Sequence, residues 1–195
     1  MVKNILLVGV GGQGTILVSR ILSEGLVMEG YDVKMSEIHG MAQRGGSVTT
    51  QIRYGDRVYS PSITPGEVDI LVAFEKLEGA RYVNQLRKGG ILIINEEEMY
   101  PLPVLVGTEK YPTNLLEEIK EKVENTISVD ARELAEDLGE PKVQNIIMLG
   151  ILATALELDE IDWIGLIKVN LPEKVHEVNI RAFEIGANLL EVTNN

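Results

Sequence analysis

The residues of this sequence that are best suited to bind a ligand form a glycine-rich loop near the amino terminus. The run GVGGQG, residues 9–14, fits the pattern G-x-G-x-x-G between an apolar run and a helical pattern. Such glycines permit a tight turn and the close approach of a ligand, and backbone N–H groups at a helix start attract anions. We therefore assign Gly11, Gly12, Gln13 and Gly14 as candidate cofactor-binding residues. The alternative is a turn that is rich in glycine only because a helix and a strand cross closely.

A second loop, HGMAQRGGS at residues 39–47, places a guanidinium beside two glycines and a hydroxyl. An arginine can donate two hydrogen bonds to a phosphate or carboxylate, and paired glycines let backbone N–H groups point at the same anion. We assign Arg44, Gly45, Gly46 and Ser47 as further cofactor-binding candidates. The alternative is an exposed turn whose arginine pairs with an acidic side chain.

Other polar residues give weaker signals. Glu37 lies about 20 residues beyond the first glycine loop, where a dinucleotide site places an acid for the ribose. His39 has no nucleophile beside it in the sequence, so a structural role is favoured over general-base catalysis. The acidic run at residues 96–98 is interpreted as a helix amino terminus. We assign no catalytic residue and no metal ligand.

Apolar runs and helical spacing alternate along residues 1–140, which predicts an α/β fold. The run Asn4–Val10 has the character of a central buried strand, and it opens a βαβ unit that ends with a strand at 32–38. The predicted fold is a Rossmann-like open sheet, mostly parallel, with flanking helices. The further predicted elements are a hairpin or close pair of 48–53 with 57–60, strands at 69–74, 91–95, 104–106 and 126–130, and helices at 14–29, 77–86 (ended by Gly89-Gly90) and 114–123.

From Val143 onward the pattern is helical. The stretch Val143–Leu156 is apolar on nearly all sides and must be covered all round, either within the chain or by a partner. No linker or repeat divides the sequence. We predict one domain, residues 1–195, with a sheet portion at 1–140 and a helical carboxyl-terminal portion at 141–195 packed on it.

Composition narrows the class of protein. The 195 residues are 45% hydrophobic and carry a formal net charge of −12, which disfavours nucleic acid and anionic membranes as partners. The chain has no cysteine, so it cannot ligate an iron–sulfur cluster itself. We see no signal peptide and no apolar stretch long enough for a membrane span, and we expect a cytoplasmic protein.

Four segments together resemble one known family. GVGGQGT, SEIHGMAQRGGSVTTQIRYG, VYSP and DILVAFEKLEGARY are similar, in order and spacing, to gamma-type subunits of 2-oxoacid:ferredoxin oxidoreductases. The similarity covers most of the sequence from position 1 to position 110, and GGQG followed by RGG is more selective than the glycine pattern alone. The HGMAQ run before RGG points to the branch that acts on indolepyruvate and other arylpyruvates.

The resemblance implies a complex that oxidatively decarboxylates a 2-oxoacid with thiamine diphosphate, magnesium, coenzyme A and iron–sulfur clusters, and reduces ferredoxin. This chain would be an accessory subunit, inactive by itself, because a larger partner subunit would hold thiamine diphosphate and the clusters. It would shape the active-site entrance and help to bind coenzyme A through the two glycine loops. The alternatives are a free-standing NAD-binding dehydrogenase and a small-ligand-binding Rossmann module.

Overall fold

A computed structural model describes residues 2–40 and 46–193 of the chain. The strands are β1 (Lys3–Val10), β2 (Asp32–His39), β3 (Ser47–Gly55), β4 (Val68–Ala73), β5 (Leu86–Asn95) and β6 (Thr126–Val129). The helices are α1 (Thr15–Met28), α2 (Lys76–Tyr82), α3 (Leu102–Leu105), α4 (Leu115–Lys122), α5 (Ala131–Asp137), α6 (Gln144–Ala155), α7 (Trp163–Asn170) and α8 (His176–Thr193). No helix within these described ranges is both long and apolar enough to cross a membrane.

The six strands form one sheet in the order β2-β3-β1-β4-β5-β6. Strands β1, β4, β5 and β6 run parallel, whereas β3 is antiparallel to both of its neighbours, β1 and β2. The predicted α/β class, with a mostly parallel open sheet and flanking helices, is confirmed. The central position of β1 is confirmed as well, because β3 and β4 flank it.

Three local predictions are wrong. The hairpin does not form, because both edges of β3 are already paired with β1 and β2 and leave no edge for residues 57–60. Residues 104–106 do not form a strand; they lie at α3 and the turn that follows it. Gly89 and Gly90 do not end a helix but lie inside β5, beside a register shift in its pairing with β4, and Gly89 has a φ of +74°.

The carboxyl-terminal helices share a hydrophobic core with the sheet. The residues of α6 from Asn145 to Ala153 are all buried, and the apolar ones pack in one cluster with side chains of β1, α1 and α8. The apolar character of this helix is therefore accounted for by burial within the chain and does not mark a partner surface. That residues 1–195 form a single domain stays a prediction.

One unsatisfied hydroxyl is buried on β3. Thr50 is fully buried, and its Oγ1 has no hydrogen-bond partner among the described residues. A buried hydroxyl without a partner costs about 1–3 kcal/mol. We expect Thr50→Val, which keeps the β-branched shape, to raise the free energy of unfolding by about 1 kcal/mol in urea titrations.

The matched control is Thr126→Val on β6. The Thr126 Oγ1 donates to Val123 O at 2.7 Å, so the same substitution there removes a formed hydrogen bond. It is expected to lower the free energy of unfolding by about 1 kcal/mol. Equal effects of the two substitutions would contradict the assignment of Thr50 as the unsatisfied site.

Candidate functional site

The candidate site lies where β1, β4 and β5 end and β3 begins, on one rim of the sheet. Parallel strands bring their carboxyl ends to the same edge, and the antiparallel β3 brings its amino end there. The two glycine loops meet at this rim, since the Gly11 N–H donates to Gly46 O at 2.9 Å. The first loop thus lies against the end of the second loop, where β3 starts.

Gln13 holds the ends of three strands together. Its Oε1 accepts from Val10 N–H at 2.8 Å, and its Nε2 donates to Phe74 O at 2.9 Å and to Glu97 Oε2 at 2.7 Å. The side chain is only 8% exposed. The Gln13 amide is therefore satisfied within the chain, and its role is to fix the position of the loop. Any ligand contact from the loop would come from the backbone.

The carboxylate that Gln13 contacts belongs to a wider network. Glu97 also pairs with Arg132 at 3.3 Å, and Arg132 pairs with Glu136 at 2.9 Å. The Glu136 and Glu97 carboxylates raise the pKa of the Arg132 guanidinium, so it stays cationic. The interpretation of residues 96–98 as a helix amino terminus is wrong, because the helix that follows them begins only at Leu102 and Glu97 instead contacts the glycine loop.

Two positions of the first loop, Gly12 and Gly14, require glycine for different reasons. Gly12 has a φ of +106°, which L side chains rarely adopt, but a Cβ there would meet no atom within 4 Å. Gly14 has a φ of +80°, and a Cβ there would clash with the amide of Asn145 at the start of α6. The loop is therefore open at Gly12 and closely packed at Gly14.

The second loop is described only in part. Arg44 and Gly45 lie outside the described residues. The Ser47 hydroxyl donates to Glu78 Oε2 at 2.6 Å, and Glu78, which is 2% exposed, also forms an ion pair with Arg81. The hydroxyl is therefore already engaged, and this network anchors the start of β3 to α2.

Two clefts open on either side of the first glycine loop. The first, which we call the His39 cleft, has a volume of about 670 Å³ and is lined by Gly11, Gly12, Gly14, Thr15, Ile16, His39, Gly40 and Val48. The second, which we call the Lys142 cleft, has a volume of about 390 Å³ and is lined by Gly12, Gln13, Gly14, Glu97, Arg132, Pro141, Lys142, Gln144 and Asn145. Both volumes fall in the range of small-molecule sites.

The geometry disfavours a dinucleotide site of the usual kind. In such sites the acid that binds the ribose follows the strand next to β1, whereas here β3 separates β2, and hence Glu37, from β1. Glu37 instead accepts from the Ser19 hydroxyl at 3.1 Å and lies 3.5 Å from His39 Nε2. The crevice between the ends of β1 and β4 is filled by the Gln13 side chain.

Several site residues were missed by sequence reasoning. Arg132, Lys142 and Asn145 line the Lys142 cleft, although they lie far along the chain from the glycine loop. No motif marks them, and only the start of the apolar helix α6 signals that something must pack near Asn145. Within the described part of the chain, no group of three or more histidine, aspartate or glutamate side chains could hold a metal ion.

Comparisons with known proteins support the fold and identify the family of this chain. A family model described as pyruvate ferredoxin/flavodoxin oxidoreductase matches residues 4–189. Indolepyruvate oxidoreductase subunit IorB of Thermococcus kodakarensis is 36% identical over 190 residues, which cover 94% of this chain and 93% of that protein. The resemblance noted from the glycine loops is confirmed.

Two solved structures share the fold at low identity. Pyruvate oxidoreductase subunit PORC of Thermotoga maritima has a TM-score of 0.71 and 23% identity, covering 95% of this chain and 94% of that one. The 2-oxoglutarate:ferredoxin oxidoreductase of Magnetococcus marinus, with 2-oxoglutarate, coenzyme A and succinyl-CoA bound, has a TM-score of 0.76 and 18% identity, covering 98% of this chain and 31% of that one. The nearly full-length family match and the 36% identity carry the assignment: this chain belongs to the pyruvate ferredoxin/flavodoxin oxidoreductase family.

Proposed function

We propose that this chain is the accessory subunit of a thiamine diphosphate-dependent 2-oxoacid:ferredoxin oxidoreductase that acts on indolepyruvate or other arylpyruvates. The observation that carries the proposal is the 36% identity to an indolepyruvate oxidoreductase subunit across nearly the full length of both chains. Gamma subunits common to pyruvate and ketoisovalerate oxidoreductases are also similar, at 31% identity in Pyrococcus furiosus. The HGMAQ run favours arylpyruvates as the substrate class.

The residues of this chain limit which cofactors it could hold. A protein-bound iron–sulfur cluster needs thiolate ligands, and the chain has no cysteine, so the clusters belong on the larger partner subunit. We assign thiamine diphosphate and magnesium to that partner as well. We also propose that the chain is located in the cytoplasm.

Coenzyme A fits the His39 cleft better than it fits the crevice filled by Gln13. The cleft lies on the side of the glycine loop that faces His39 and Gly40, and Gly11 and Gly12 line it with backbone only. Gly46, whose carbonyl accepts from Gly11, directly follows Arg44 and Gly45 in the sequence, which supports a role for the second loop at this rim. In the complex, the cleft would receive an anionic part of coenzyme A at the entrance of the active site.

Arg44→Ala tests this role in the assembled complex. Loss of one charge-assisted hydrogen bond to a phosphate is expected to raise the KM for coenzyme A about tenfold with little change in the KM for indolepyruvate. Initial rates of dye reduction at varied coenzyme A concentration measure the effect.

The control variant is Arg20→Ala, which removes an exposed arginine from α1. It is expected to leave both KM values unchanged, because Arg20 lines neither cleft. Equal kinetics for Arg44→Ala and the wild-type complex would remove the second loop from the coenzyme A site.

A further inference from the structure

The Lys142 cleft is a second site on the first glycine loop, on the side away from His39. It is separated from the His39 cleft by the loop itself, since Gly12 and Gly14 line both. Its far wall is made by Arg132 of α5, by the turn at Pro141 and Lys142, and by the first turn of α6. The cleft therefore lies between elements that are far apart in the sequence but packed together in the fold.

Two helices begin at this cleft without an acidic residue in their first turn. Neither α1 nor α6 has a side chain that caps its amino terminus. The turn at residues 141–143 runs directly into α6, and the Glu140 carboxylate, which accepts from Lys142 N–H at 3.3 Å, caps the start of this continuous segment. By contrast, α2, α5 and α7 are each capped by an acidic side chain. The partial positive charge at the start of α1 therefore remains available to an anion in the cleft.

Two cationic side chains line the same cleft. Lys142 is exposed and forms no ion pair with any residue that the structure describes. Arg132 pairs with Glu97 and Glu136 through Nη1 and Nε, which leaves guanidinium N–H groups over for a further acceptor. The one carboxylate in the lining, Glu97, is already bonded to Gln13 and Arg132. Two cations and one carboxylate thus line the cleft, while the Glu136 and Glu140 carboxylates contact Arg132 and the Lys142 backbone from outside the lining.

A buried amide adds an independent observation. Asn145 is 6% exposed, and its Nδ2 reaches only Gly14 O, at 3.5 Å, the outer limit of a hydrogen bond. Buried polar groups are normally hydrogen-bonded at shorter range. The Asn145 amide therefore has hydrogen-bonding capacity left for a group in the cleft that it lines.

We propose that the Lys142 cleft binds the phosphate group of a small organic phosphate, with Lys142, Arg132 and the backbone of Gly12 and Gly14 as donors. The volume of about 390 Å³ leaves room for more than the phosphate itself, as in a nucleoside monophosphate. The inference concerns this chain alone and does not depend on the proposed function. The coenzyme A role is judged by turnover of the complex, whereas this site is judged by binding to the full chain.

Titration of the full-length chain with AMP, followed by ¹H–¹⁵N NMR, tests the site. Saturable shifts are expected at the backbone amides of Gly12, Gly14 and Gln144 and at the Asn145 side-chain amide. Inorganic phosphate should shift the same backbone amides if the phosphate group alone is recognised, and it should then compete with AMP. Shifts with AMP and none with phosphate would still support the site and would mean that the nucleoside contributes to binding there.

Variants of Lys142 and a control at Lys168 show whether AMP binds in this cleft. Lys142→Glu is expected to weaken AMP binding about tenfold or more, because it replaces a charge-assisted donor by a repelling carboxylate. Lys142→Arg should retain binding, and Lys168→Ala on the exposed side of α7 should leave it unchanged. No saturation by either ligand at about 10 mM, or equal affinity in Lys142→Glu and the wild-type chain, would overturn the proposal.

Discussion

Replacing Gly186 by alanine is expected to lower the free energy of unfolding by about 3 kcal/mol. Helices α6 and α8 cross so closely here that a Cβ on Gly186 would overlap Ile147 O and lie 2.9 Å from Ile147 C. The neighbours are backbone atoms of a buried helix, so no rotamer change can relieve the clash. The contact is reciprocal, because a Cβ on Gly150 would overlap Phe183 O and lie 2.8 Å from Ala187 N.

Gly25→Ala on α1 is the matched control. A Cβ there would meet Ile161 Cγ2 at 2.9 Å and Leu166 Cδ1 at 3.0 Å, which are side-chain methyl groups and not backbone atoms. Alanine also gains up to about 1 kcal/mol of helix propensity over glycine, so the net loss of stability should be clearly smaller than for Gly186→Ala. Urea denaturation of both variants measures the difference. A Gly186→Ala variant as stable as Gly25→Ala would mean that α6 and α8 are not in this close contact.

Replacing Gln13 by glutamate is expected to be comparably damaging. The substitution removes the donor to Phe74 O and places a second carboxylate beside Glu97, whose Oε2 now accepts from Gln13 at 2.7 Å. Because Gln13 is only 8% exposed, the repulsion is only weakly screened by solvent. We expect a loss of about 3 kcal/mol in the free energy of unfolding at neutral pH.

A second substitution separates repulsion from simple loss of packing. Glu97→Gln in the Gln13→Glu background provides an amide that can donate to the introduced carboxylate, and it should recover about 1–2 kcal/mol. Glu97→Gln alone should destabilise slightly, since Arg132 loses an ion-pair partner but keeps Glu136. Additive effects of the two substitutions would show that the side chains at these positions do not interact.

Local features of the fold were predictable because they depend on neighbouring residues. The apolar run of β1, the glycine turn and the amphipathic α1 follow one another between Lys3 and Met28, and all three were predicted close to their observed positions. The place of β3 was not predictable in this way. Its alternating pattern was interpreted as a hairpin with the residues that follow it, whereas β3 instead pairs antiparallel with the preceding strand β2 and with the distant strand β1.

In the candidate site, too, local features were predictable from the sequence and long-range contacts were not. The sequence pattern located the first glycine loop and its neighbour around Gly46, but it did not indicate what the Gln13 side chain contacts. The partners of that side chain, Phe74 and Glu97, lie 61 and 84 residues away, so their hydrogen bonds could not be read from spacing. The Asn145 contact with Gly14 spans 131 residues, which explains why the wall of the Lys142 cleft opposite the glycine loop was not predicted.

The proposed function is tested most directly by co-expression of this chain with the large partner subunit that we propose binds thiamine diphosphate, followed by size-exclusion chromatography and an activity assay. Dye reduction that depends on indolepyruvate and coenzyme A is measured for the large subunit with and without this chain. We expect that the two chains co-elute and that activity requires both. A large subunit that is fully active alone and never co-elutes with this chain would contradict it.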